Sequence, residues 1–66
     1  MPQTVLVPFY KEIAYRVGND QSATISIHKF GPFLDEQVLA MAIRDHEQAM
    51  DVIYGYDWRR LDKLPD

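Results

Sequence analysis

The chain has 66 residues, ten acidic and seven basic side chains, a net charge of -3 and no cysteine. That length leaves room for one small domain with a thin core, and the missing thiols exclude disulfide or thiolate-zinc support. A pI near 5.1 argues against direct nucleic-acid binding, which needs a basic stripe.

The acids are unevenly placed. Asp35 to Asp57 holds six of them (Asp35, Glu36, Asp45, Glu47, Asp51, Asp57) against one base, Arg44. The segment from Trp58 carries Arg59, Arg60 and Lys63 against Asp62 and Asp66. An acidic middle of this kind suits either a solvated helix face or a basic protein partner. No stretch approaches the ~18 apolar residues of a membrane span. MPQTVLVPFY lacks the basic start of a signal peptide, so a cytoplasmic protein without membrane association is expected.

In chain order, Thr4 to Val7 is β-branched and apolar and reads as a short edge strand stopped by Pro8. Lys11 to Val17 is open to two readings. Ile13, Tyr15 and Val17 alternate with polar or small residues, as in a strand. Phe9, Ile13 and Val17 also recur at spacing four between Pro8 and Gly18, as in a short helix. Ala23 to Phe30 (ATISIHKF) sets Ile25 and Ile27 on one face and Thr24, Ser26 and His28 on the other, which is a strand pattern. A strand needs a neighbour for its backbone groups, and Gly18 to Ser22 is rich in turn formers. A hairpin is therefore favoured, with Gly31-Pro32 ending its second strand.

A long helix is expected from about Phe33 to Tyr54, with Pro32 in its first turn, Asp35 and Glu36 at the positive end of its dipole, and Gly55 as its stop. At 100° per residue, Gln37, Ala40, Arg44, Glu47, Gln48 and Asp51 share one side. Val38, Leu39, Ala42, His46, Ala49, Met50 and Ile53 share the other, and Met41, Ile43 and Val52 widen it. The apolar arc covers roughly 200°, twice the minimum for a core-facing helix. A small sheet cannot cover it, so a homodimer contact on this face is expected. The last segment, YDWRRLDKLPD, places Trp58 and Leu61 three apart, consistent with one helical turn that Pro65 limits. The expected class is thus α+β: an antiparallel hairpin, with a third strand if Thr4 to Val7 joins it, packed on one amphipathic helix.

Chemistry-bearing groups are few. His46 falls in the apolar arc and reads as a core or interface histidine, whereas His28 falls on its strand's polar face and reads as exposed. Glu47 and Asp51 are too few ligands for a metal, and Arg44, three residues before Glu47, is the expected ion-pair partner. No serine has a nucleophile elbow, and the three glycines are too scattered for a phosphate cradle. Neither metal nor cofactor is expected.

One segment resembles a known family. Pro2, exposed as the N-terminal residue if Met1 is removed, followed by the strand-like Pro2 to Val7, is similar to the start of the small tautomerases. That resemblance implies a secondary-amine base at Pro2. It covers only these residues, and Pro8 and the hairpin stand where that family places a long helix.

The function expected is non-enzymatic binding of another protein, as an acidic inhibitor or adaptor on a basic surface. A phage or mobile-element protein acting on a host nucleic-acid enzyme is one concrete form. Glu36, Arg44, Glu47, Asp51, Tyr54, Tyr56 and Trp58 are the candidate contact residues, since tyrosine and tryptophan bury large areas with few rotors. A homodimeric regulatory or structural subunit is the alternative.

Overall fold

The computed structural model describes residues 8–64. Thr4 to Val7 and Pro2 lie outside them. The elements run β1 (Phe9–Val17), β2 (Thr24–Phe33), α1 (Glu36–Tyr54) and β3 (Trp58–Arg60). The strands form one antiparallel sheet in the order β2-β1-β3, with β1 central. The fold is α+β, with α1 packed on one face of the sheet.

The alternation in Lys11 to Val17 resolves as strand. Tyr15 pairs with Ser26 and Ala14 with Ile27. The connection is held by Asn19, whose Oδ1 accepts from the backbone N–H groups of Gln21 and Ser22 at 3.0 Å each, an Asx-type turn. Gly18 has φ of +107° there, a left-handed conformation that glycine adopts without penalty.

Three expectations need correction. First, Gly31-Pro32 does not end β2, which continues to Phe33. The register shifts between Phe9 and Lys11 on the facing strand, and such a bulge absorbs a residue that breaks regular pairing. Proline is tolerated because β2 is an edge strand. Gly31 sits where a Cβ would meet the Phe9 carbonyl oxygen at 2.7 Å, so the close approach of the strands requires glycine. Second, α1 starts at Glu36 rather than Phe33. Asp35 is the N-cap and its side chain accepts from the Gln37 N–H at 2.8 Å. Gly55 ends the helix as expected, with φ of +63°.

Third, the segment after Gly55 is not a helical turn but β3, paired with β1 from Tyr15↔Arg60 to Val17↔Trp58. The free edge of β1 offers unpaired backbone groups, and β3 takes them. The Leu61 N–H extends the attachment to the Ala14 carbonyl at 2.9 Å, and the Gly18 N–H reaches the Asp57 carbonyl at 2.6 Å.

The core gathers Ile13, Tyr15, Phe30, Leu39 and Met50, with Val17, Phe33, Ala42, Ile43 and Trp58 against them. The sheet is narrow, and α1 leans chiefly on β2. Of the predicted helix face, Leu39 and Met50 are buried, Ala42 and His46 half-buried, and Val38, Ala49 and Ile53 exposed. The buried stripe is rotated toward Ile43 and Glu47, both half-buried. Among the described residues, no helix is long and apolar enough to cross a membrane.

Candidate functional site

The helix face of the sheet carries Tyr15, His28 and Arg60 toward α1. Tyr15 stands on the central strand and is only 1% exposed. Its hydroxyl donates to Glu47 Oε2 at 2.8 Å. The Arg60 guanidinium donates to the same oxygen, Nε at 2.9 Å, and forms an ion pair with it. Four residues on, Asp51 accepts from Trp58 Nε1 at 2.9 Å. The spacing explains the match. Four helical residues rise about 6 Å and two strand residues about 6.6 Å. Glu47 and Asp51 therefore meet Arg60 and Trp58 pair by pair, with α1 and β3 running in opposite directions.

This corrects the expectation that Arg44 is the partner of Glu47. Arg44 instead lines an open groove with Glu47, Gln48, Asp51, Trp58 and Arg60, where the helix's polar flank faces β3. Burial, reinforced by the bond to Glu47, pushes the Tyr15 phenol far above its ordinary 10.0. The phenol keeps its proton and serves as a donor. Glu47 is held by two donor groups.

The second cluster is aromatic. His46 stacks on His28 with ring centroids 4.3 Å apart and planes 18° from parallel. Phe30 meets His46 edge-on at 5.2 Å, and Tyr15 lies 5.5 Å from it. Burial lowers the His46 pKa below 6.5, with help from nearby His28 and against the opposing pull of Glu47. His46 is accordingly neutral at pH 7. The polar face of β2, read as solvent-facing, is turned toward the helix, and Ile25 and Ile27 face away from it. A groove between β2 and α1 has Thr24, Ser26 and His28 on one wall and Ala49, Ile53 and Tyr54 on the other. Among the described residues, no three His, Cys, Asp or Glu side chains gather to hold a metal.

The candidate contact residues thus separate. Glu47, Asp51 and Trp58 are joined to one another through α1 and β3, with Arg44 at the groove's rim. Glu36 lies a whole helix away from Tyr54 and Tyr56. Tyr56 is wholly exposed, and Val52 and Ile53 beside it are 86% and 70% exposed. Sequence reading missed Arg60, Tyr15 and His28 as members of these clusters. The signal for Arg60 was present as the two-residue step from Trp58, matching the four-residue step from Glu47 to Asp51.

No protein-family model matches the chain, and no curated protein or solved structure matches it either.

Proposed function

We propose that the chain is a non-enzymatic protein-binding module of the cytoplasm, an acidic inhibitor or adaptor that covers a basic surface on another protein. The observation that carries this reading is the exposed run at the C-terminal end of α1, where Val52, Ile53, Tyr54 and Tyr56 stand in solvent. Large apolar and aromatic side chains left in solvent together at one helix end point to an interaction site, and tyrosine is favoured at the centre of such sites. Asp45 and Asp57 flank the run and favour a target with a basic rim. Glu47 and Asp51 are engaged within the chain. The acids offered to a target are therefore Glu36, Asp45 and Asp57, whose side chains bond no other described residue. No metal or cofactor enters this reading.

The test is capture from nuclease-treated host lysate on the C-terminally tagged chain, at low and high salt, read by mass spectrometry. The expected result is one stoichiometric protein partner, weakened by salt and by Asp45→Lys with Asp57→Lys, and lost with Tyr56→Ala. Recovery of the bait alone at both salt concentrations overturns the reading.

A further inference from the structure

We infer that a second copy of this chain docks on the outer edge of β2, so that two sheets join and the two α1 helices pack side by side. β2 ends the sheet order, and its outward N–H and C=O groups have no partner strand among the described residues. Natural sheets defend such an edge with charge, proline or a covering element. Over Thr24–Phe33 the only charged side chain is Lys29, and its ammonium lies 4.9 Å from the centroid of the Tyr10 ring. Pro32 stands near one end, beside the bulge. The stretch Ile25 to His28 is undefended.

The layers above and below this edge are both apolar. On the outer face of the sheet, Ile25 and Ile27 are 56% and 51% exposed. In the helix layer, Ala49 and Ile53 form the outer wall of the β2 groove, and Val38 and Ala42 fall on the same flank at helical spacing. The other flank of α1 is tied to β3 by the bonds of Glu47 and Asp51 to Arg60 and Trp58 and is polar beside them, where Arg44 and Gln48 line the groove. The apolar flank of the helix is the one on its β2 side.

A second copy is the occupant that this edge fits. An antiparallel strand edge is complementary to itself across a two-fold axis, which gives an isologous contact in which each copy offers the same patch. The size is adequate. A ten-residue strand is about 33 Å long and a 19-residue helix about 28 Å. With the two layers about 20 Å tall, the flank presents roughly 600 Å² per copy. Two such patches total about 1,200 Å², the lower end of the range for a specific interface. Asp45 is the one acid on this flank, and Ala42 and Ala49 allow the helices to approach closely.

The inference does not rest on the partner reading: Ile53 and Tyr54 belong to both surfaces, but Tyr56, which the partner reading needs, lines a separate groove with Asp57 and Arg59. The full chain should sediment as a species of twice its 7.7 kDa. Ile53→Glu changes an exposed position and should raise the dimer dissociation constant by about tenfold or more, because it buries a charge in the contact. Circular dichroism should stay unchanged, and Tyr56→Ala should leave the dimer intact. Amide exchange then locates the contact: alternate amides of Ile25 to His28 should slow as concentration rises through the dimer midpoint. A monomer at all concentrations overturns the inference, and so does a dimer whose β2 amides exchange at a concentration-independent rate. If the dimer forms while lysate capture yields no partner, only the binding reading fails.

Discussion

Glu47 accepts from two side chains, Tyr15 and Arg60, and its loss should cost more than removing either donor group alone. Tyr15→Phe removes one donor and leaves Arg60 in place, an expected cost of about 1 kcal/mol. Glu47→Ala strands the buried Tyr15 hydroxyl without an acceptor, an expected cost of about 2–3 kcal/mol, read by urea unfolding. Arg60 is half in solvent, so its own truncation should cost less. The pH dependence has two arms. His46 has a folded pKa below 6.5, so the unfolded chain takes up its proton first and stability falls as pH drops through about 6.5. Tyr15 has a folded pKa above 10.0. Its contribution is complete below pH 10 and is lost as pH rises above it. His46→Phe should flatten the acid arm and Tyr15→Phe the alkaline one, each followed by the unfolding midpoint against pH. The pattern put His46 near the core and His28 at the surface, and His46 is half-buried and His28 exposed. Their stack was not legible, because it depends on which face of β2 meets the helix.

At the scale of elements, the hairpin and the helix were legible because each repeats one periodicity over many residues. Ile13, Tyr15 and Val17 alternate, and Leu39, Ala42, His46 and Met50 recur at helical spacing. β3 was not legible. Three residues carry no period, and Trp58 and Leu61 fit a helical turn equally well. What decides β3 is the vacant edge of β1, a tertiary fact. The face of β2 was hidden for a related reason. Ile25 and Ile27 look like a core face, yet the covalent path from Phe33 through Asp35 brings the helix over Thr24, Ser26 and His28. Two substitutions test these elements. Asp35→Ala removes the N-cap and should cost about 1 kcal/mol. Trp58→Ala removes the edge-on contact with Tyr15, at 5.9 Å, and the bond to Asp51. It should detach β3 from α1 and cost about 3 kcal/mol, measured as faster amide exchange at Arg16 and Gly18, whose N–H groups face β3.

At the scale of the whole molecule, five buried side chains form the core among the described residues, and small domains of this size hold little stability in reserve. A second copy on β2 would supply the rest. The melting temperature should then rise with protein concentration and lose that dependence in Ile53→Glu. A melting point unchanged over a hundredfold concentration range would leave the monomer to stand on its own core. The sheet order also has a consequence for biosynthesis. β1 is the central strand, but one of its two neighbours, β3, is translated only after the whole of α1. A released product truncated after Gly55 therefore carries both an open β1 edge and the outer edge of β2. Two such edges on one short chain invite end-to-end sheet growth, and the chain cut after Gly55 should aggregate where the 66-residue chain stays dispersed.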